Sequence, residues 1–437
     1  MAQQLKRELG VFGATMMGLG SIIGTGIFVS VGIGAGVTGP AVILAIAFAA
    51  FVATCNGLNS AQLAANHPVS GGTYEYGYHY LTPQFGFIAG WTFLLAKSAS
   101  AATAALGFAG YLLDALGSDD TTLLVPLALA AVIVLTLIVV GGIRRSNTAN
   151  TIIVSITLAA LALFVIAGIP SIDGANFSPF LNAAEDGSGG INLLLQATAL
   201  MFVAYTGYGR IATMGEEVRE PRRTIPRAII TTLVTTMILY VAVAFVGVGT
   251  IGAEALSGAA NEIAAPLEVA ASSFGIPAVP ELIAIGAITA MLGVLLNLIL
   301  GLSRVLLAMG RRRDMPTPVA RLNSTGTTPY VAVIVMGAVI GGLVLIGDVR
   351  TTWSFSAFTV LIYYAITNLA ALRLKPEERL FPPIIAWIGL AACLFLAFWV
   401  ELSVLLVGLG LLVVGLGWHF AAQAIANRAN RAAVNDG

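Results

Sequence analysis

Four stretches of the chain, residues 123–143, 228–250, 329–347 and 381–399, each run for ~20 residues with at most a stray polar group. A helix of that length spans a ~30 Å hydrocarbon core, and a water-soluble domain has no use for several of them. Composition points the same way. Of 437 residues, 58% are hydrophobic and only 10% are charged, where soluble domains carry about a quarter charged residues. A membrane β-barrel would instead show alternating segments of ~10 residues, and none are visible. The chain is therefore predicted to be an all-α polytopic membrane protein.

Twelve spans are expected, at roughly 11–38, 40–64, 84–113, 122–143, 147–169, 191–214, 228–250, 281–309, 329–347, 351–372, 381–399 and 402–423. With a cytoplasmic N-terminus, the loops alternate and the charges sort by side. Lys6, Arg7, Arg144, Arg145, Arg219, Arg222, Arg223 and Arg227 fall on the cytoplasmic side. So do Arg311, Arg312, Arg313, Arg321, Arg373, Lys375, Arg379, Arg428 and Arg431, with Arg210 and Arg304 close to it. That places 19 of the 21 basic residues at or near the inside, the bias that orients membrane proteins. Acidic residues mark the outer loops: Asp114, Asp119, Asp120, Asp173, Glu185, Asp186, Glu254, Glu262 and Glu268. Both termini are expected in the cytoplasm, with the protein multi-pass in the inner or plasma membrane. The first apolar stretch is too long for the core of a cleavable signal and reads as the first span.

Two spans carry unusual glycine clusters. Span 1 contains Gly18-Leu-Gly-Ser-Ile-Ile-Gly-Thr-Gly-Ile-Phe28, and span 6 contains Phe202-Val-Ala-Tyr-Thr-Gly-Tyr-Gly-Arg210. Each glycine costs a helix ~1 kcal/mol relative to alanine. One such cluster is explained by close helix packing, as small residues allow in bilayers. Two at corresponding positions of two five-span halves favour a pair of discontinuous helices, the mark of an inverted-repeat transporter. Unwound backbone at that depth lines a cavity. Its freed N–H groups attract a carboxylate and its freed carbonyls an ammonium. A zwitterion with both groups on one carbon fits this pair.

The motif Gly20-Ser-Ile-Ile-Gly-Thr-Gly-Ile-Phe28 resembles the first-helix signature of the amino acid–polyamine–organocation (APC) permeases. Three further segments are similar to that family: Pro68-Val-Ser-Gly-Gly-Thr-Tyr-Glu-Tyr76, Gly215-Glu-Glu-Val-Arg-Glu-Pro-Arg-Arg-Thr-Ile-Pro-Arg-Ala228 and Gly301-Leu-Ser-Arg304. The resemblance runs over the first ten spans. It implies a leucine-transporter-like 5+5 fold, with repeats at 11–169 and 191–372, two extra helices at 381–423, and cytoplasmic tails at 1–10 and 424–437. It also implies alternating access and amino acid substrates.

Carried over residue by residue, the resemblance places the substrate carboxylate at backbone amides around Gly24, Thr25 and Gly26. The α-amino group would meet carbonyls at Ile22 and around Val203, Ala204 and Thr206. Ile23, Phe202 and Tyr205 complete the expected site. The chain departs from the pattern at several positions. Val203 stands where many members place an aromatic that closes over the substrate, with Phe202 beside it. Gly209 and Arg210 stand where an acidic or amide residue is common. Thr157 stands at the span-5 position of a lysine in proton-coupled members, and Leu292 and Gly293 at that of the span-8 hydroxyl pair of sodium-coupled ones.

Lys97 is the ionisable residue farthest from any expected interface, in Trp91-Thr-Phe-Leu-Leu-Ala-Lys-Ser-Ala-Ser-Ala-Ala102. A lone charge at that depth costs at least ~2.5 kcal/mol, and such residues mark transport paths. Three roles are open: proton coupling in place of the absent span-5 lysine, direct contact with substrate or an anion, and a structural tether. Asn297 and Asn368 read as interhelical hydrogen-bonders. Tyr363 and Tyr364 suit either cavity or core. Trp353, Trp387, Trp399 and Trp418 lie near expected helix ends and read as interfacial anchors. Glu216, Glu217 and Glu220, with Arg219, Arg222 and Arg223, form a solvated loop or an inner-gate ion-pair network.

Cys55 and Cys393 read as small core residues, and His67, His79 and His419 are scattered near expected helix ends, so neither a disulfide nor a metal site is expected. No P-loop is present. The chain is therefore expected to be a secondary active carrier rather than an enzyme or a channel, without cofactor or nucleic-acid partner. Its expected partners are a small amino acid and the lipid bilayer; its oligomeric state is open. The absence of an acidic residue along the pathway favours neutral substrates. Exchange of amino acids or polyamines without proton movement, or carriage of an inorganic ion, are the alternatives.

Overall fold

The computed structural model describes residues 9–69, 71–118, 120–142, 147–181, 189–212, 218–324 and 326–435. Several residues read from the sequence lie outside this set: Lys6, Arg7, Asp119, Arg144, Arg145, Glu185, Asp186, Glu216 and Glu217. The same holds for the side chains of Arg428 and Arg431.

The chain is helical throughout the described residues. In order, the helices are α1 (Val11–Ile22), α2 (Thr25–Phe28), α3 (Ser30–Thr38), α4 (Val42–Asn66), α5 (Thr73–Tyr80) and α6 (Pro83–Ala115). There follow α7 (Leu124–Val140), α8 (Asn147–Gly168), α9 (Gly190–Tyr205), α10 (Gly209–Ala212), α11 (Pro221–Glu262) and α12 (Pro266–Ser272). The last five are α13 (Val279–Arg311), α14 (Tyr330–Val344), α15 (Val349–Leu372), α16 (Pro383–Ala397) and α17 (Leu402–Asn435). Among the described residues, nine helical stretches are long and apolar enough to cross a membrane, and Val11–Ile22, Tyr330–Val344 and Pro383–Ala397 are shorter apolar helices.

Local chemistry sets the boundaries. α6 opens with Pro83 at its first position after the extended Thr82, where the missing N–H costs nothing. Asp348 caps α15 by accepting from the backbone N–H groups of Arg350 and Thr351, both at 2.9 Å, and so satisfies two orphan donors. α11 is not straight: Gly252, at φ 80°, turns the chain sharply within it.

At the centre, α6 packs on α15 and α13, while α11 packs on α4 and α3. α7 and α17 are mostly exposed apolar surface by contrast, as lipid-facing helices should be. Buried amides join the central helices. Asn59 Nδ2 donates to Asn368 Oδ1 at 2.7 Å, and Asn368 Nδ2 donates to Asn56 Oδ1. Asn56 Nδ2 reaches Cys393 Sγ at 3.2 Å. These bonds tie α4 to α15 and α16, the interhelical role read for Asn368.

A second polar node closes one end of the molecule. Asp314, just past α13, is buried and accepts from Tyr74 Oη at 2.8 Å and Tyr78 Oη at 2.6 Å, both on α5. From α17, Trp418 Nε1 donates to the Asp314 carbonyl at 2.9 Å, and His419 Nδ1 lies 3.4 Å from its carboxylate. Arg312 lies over the Tyr78 ring, 4.4 Å from its centroid, and pairs with Glu75.

Two sequence readings change here. His419 is fully buried within α17 rather than near its end. Glu268, expected in a solvated acidic loop, is 5% exposed on α12. Burial there, with Asp114 beside it, pushes its carboxyl from the ordinary 4.5 up to about 9. The unfolded chain therefore releases this proton first as pH rises, and stability falls between 4.5 and about 9. Replacement Glu268→Gln is expected to flatten that decline, read as melting temperature against pH for the purified variant and the parent.

Candidate substrate site

The glycine clusters are where the two helices come apart. α1 ends at Ile22, and the Ile23 N–H still reaches back to the Leu19 carbonyl at 2.8 Å before the chain turns extended. Gly24 then leads into α2, and a second irregularity at Val29 separates α2 from α3. In the other helix, α9 ends at Tyr205, a tight turn covers Thr206–Tyr208, and α10 resumes at Gly209.

The two breaks interlock through their glycines. A Cβ on Gly207 would lie 2.2 Å from the Ser21 carbonyl oxygen, and one on Gly26 would lie 2.8 Å from Ala204 Cα. Only hydrogen fits at either point, so each break fixes the depth of the other.

Carbonyls exposed by the breaks find hydroxyls. Tyr240 Oη, from α11, donates to the Ile22 carbonyl at 3.0 Å and approaches the Ala204 carbonyl at 3.5 Å. Tyr364 Oη, from α15, donates to the Thr206 carbonyl at 3.0 Å. Asn297 Nδ2, from α13, reaches the Gly20 carbonyl at 3.3 Å. A carbonyl has two lone pairs, so each keeps accepting capacity for a ligand.

Between the breaks lies a small cavity of ≈ 40 Å³, room for a few waters in this conformation. Ile22, Thr25, Gly26, Val203, Ala204 and Thr206 line it, as does Lys97. Lys97 Nζ donates to Thr206 Oγ1 at 2.7 Å, and that hydroxyl donates in turn to the Val203 carbonyl at 2.8 Å. The amine thus sits at the C-terminal end of α9, where the helix dipole favours positive charge. Lys97 is the ionisable residue among those lining the cavity. Thr25 Oγ1 is buried without a hydrogen-bond partner among the described residues, which leaves it available to a ligand. Val294 and Leu298 of α13 supply apolar wall.

Four expected site residues stand outside the cavity lining. Ile23 is 2% exposed at the end of α1, and Gly24 faces Val294. Phe202 packs edge-on to Tyr364, with ring centroids 5.7 Å apart. Tyr205 packs against Tyr240 at 5.3 Å. In a helix only one face meets the cavity, so neighbours of lining residues turn away from it.

The expected site lacked Ser21, Gly207, Val294 and Leu298 of the lining, and two larger side chains besides. Trp353, read as an interfacial anchor, lines the cavity from α15 and is 3% exposed. Position near a helix end does not distinguish the two situations. Tyr240 went unremarked in an apolar stretch, although a hydroxyl there has to find a partner. Trp387, by contrast, is well exposed on α16. Ser100, also in the lining, pairs with Ser356 at 2.8 Å, and Thr103 with Thr352 at 2.8 Å.

Two helices broken against each other around a polar cavity, inside a bundle of apolar helices, define a membrane carrier of the discontinuous-helix class. A model of the amino acid permease family matches residues 13–430, and the chain belongs to that family, within the APC permeases. It is 39% identical over 430 residues to an uncharacterised transporter of Mycobacterium tuberculosis, covering 98% of this chain and 94% of the relative. It is 29% identical over 448 residues to a branched-chain amino acid permease of Bacillus subtilis (96% and 93%). With a methylthioribose transporter of the same organism it shares 28% over 420 residues (90% and 88%).

Proposed function

We propose that this permease is a secondary active transporter of neutral, apolar amino acids, working by alternating access and coupled to protons through Lys97. The observation that carries the reading is the placement of the Lys97 amine on Thr206, in a cavity between two broken helices. The substrate carboxylate meets Thr25 Oγ1 and the backbone amides that open α2, while its ammonium approaches the carbonyls that end α1 and α9. Val203, Ala204, Val294 and Leu298 receive an aliphatic side chain. The branched-chain permease among the relatives supports that substrate size. Lys97 disfavours a cationic side chain by like-charge repulsion.

The proposed topology has twelve spans, with α1–α3 as the first and α17 as the last. Repeats at 11–169 and 191–372 are related by inversion, α16 and α17 lie outside them, and both termini face the cytoplasm of an inner or plasma membrane.

Uptake of labelled leucine, valine and lysine into proteoliposomes, with and without an inward proton gradient, tests this reading. Gradient-driven accumulation of leucine and valine, with lysine excluded, is the expected result. Leucine exchange indifferent to the gradient would remove proton coupling, and no leucine uptake at all would remove the substrate class.

A further inference from the structure

Trp353 takes no part in the proposed substrate contacts, yet it is the largest side chain on the cavity wall. It enters from the first turns of α15, and its indole N–H donates to the Leu200 carbonyl of α9 at 3.0 Å. α6 and α15 run antiparallel, as the Ser100–Ser356 and Thr103–Thr352 pairs require. The same pairs place Trp353 one to two turns from Lys97, toward the start of α15. On α9, Leu200 likewise precedes the cavity residue Val203 by about one turn. The indole therefore bridges α15 and α9 across one end of the cavity.

In the proposed topology that end is the outer one, so this inference rests on the transporter reading for its direction. We infer that Trp353 is the outer lid of the site and sets the upper size limit for the substrate side chain. Its ring closes the cavity above Val203, and its N–H holds the lid shut. Leu200 lies inside α9, so the indole is a second partner for its carbonyl and parts from it without unwinding the helix. The surrounding polar pairs, hydroxyl to hydroxyl, hold α6 and α15 together on the same level and leave the α9 side as the one that opens.

Two variants separate the parts of this role. Trp353→Phe removes the N–H and keeps most of the bulk, and Trp353→Ala removes both. Each is combined with Ser100→Cys, and a membrane-impermeant maleimide is added outside intact expressing cells; the native Cys55 and Cys393 are buried. Loss of one hydrogen bond should raise the labelling rate about five-fold in Trp353→Phe, and further in Trp353→Ala. Equal labelling in all three backgrounds would overturn the lid.

Competition of unlabelled tryptophan and phenylalanine against labelled leucine reads the size limit. Trp353→Ala should improve the large competitors relative to leucine by at least about ten-fold, since a filled cavity wall excludes what a vacated one admits. Unchanged ratios would overturn the size limit. Labelling does not depend on the substrate, so a failure of leucine uptake in the parent protein would count against the amino acid reading and leave the lid test intact.

Discussion

Proteoliposomes carrying Lys97→Ala are expected to lose gradient-driven accumulation of leucine while the protein remains folded and monodisperse. The amine makes one charge-assisted hydrogen bond to Thr206, and such bonds are worth ~1.5–3 kcal/mol. Its removal should therefore lower the coupled rate by roughly ten- to hundred-fold. Folding should survive, because α6 keeps its apolar packing on α13 and α15, and because alanine leaves no buried charge behind. Thr206 retains its bond to the Val203 carbonyl, so the turn itself is still supported. Substrate counterflow at zero gradient separates the two consequences of the change. Counterflow that persists without accumulation assigns Lys97 to coupling. Loss of both assigns it to substrate binding, and wild-type rates in both leave it a tether.

Gly207→Ala should be a severely damaging methyl addition. The added carbon would meet the Ser21 carbonyl oxygen at 2.2 Å, the Ser21 carbonyl carbon at 2.4 Å and the Ile22 nitrogen at 2.6 Å. All three are main-chain atoms, so no side-chain rotation relieves the clash and the two breaks have to move apart. Overpacking of this kind costs ~1–3 kcal/mol and occasionally more, and it displaces the carbonyls on which the site is built. Transport should fall to background, with a lowered melting temperature in detergent. Gly301→Ala is the matched control. Nothing lies within 4 Å of a Cβ there, and alanine improves helix propensity by up to ~1 kcal/mol, so melting should hold or rise. Equal behaviour of the two variants would show that the breaks do not interlock as described.

The helical architecture was open to reading because hydropathy and glycine act locally. Long apolar runs mark helices wherever they pack, and the clusters at 18–28 and 202–210 marked both breaks. Lys97 was legible for a similar reason: one amine in an apolar run has to be held by something. What stayed hidden depends on contacts distant in sequence. Tyr240 serves carbonyls at Ile22 and Ala204, and no local pattern connects it to either. Trp353 near the start of a helix looks the same whether it faces lipid headgroups or the cavity, until α9 is placed beside it. Glu268 sat in a short stretch between two expected spans that reads as loop, and its burial follows from α12 folding back onto α11 and α13. The rotation of each helix was the other missing quantity, which is why Phe202 and Tyr205 were included with their cavity-lining neighbours.

The node at Asp314 has a mechanical consequence. Its carboxylate and carbonyl hold α5 through two tyrosines and α17 through Trp418, at the point where α13 ends. Any rearrangement that keeps these bonds carries three remote stretches of chain as one lever. α5 also bonds α15 through Thr73, at Tyr363 and Thr367, and α4, fastened to α15 and α16 by its asparagines, joins the lever through the few residues after Asn66. There Gly71 and Gly72 both adopt positive φ, at 135° and 59°, a backbone region open to glycine at little cost. A stiff lever joined to its neighbour by such a pivot can tilt as a unit, so that displacement at one end of α13 is delivered to α5 and α17 without being absorbed along the way.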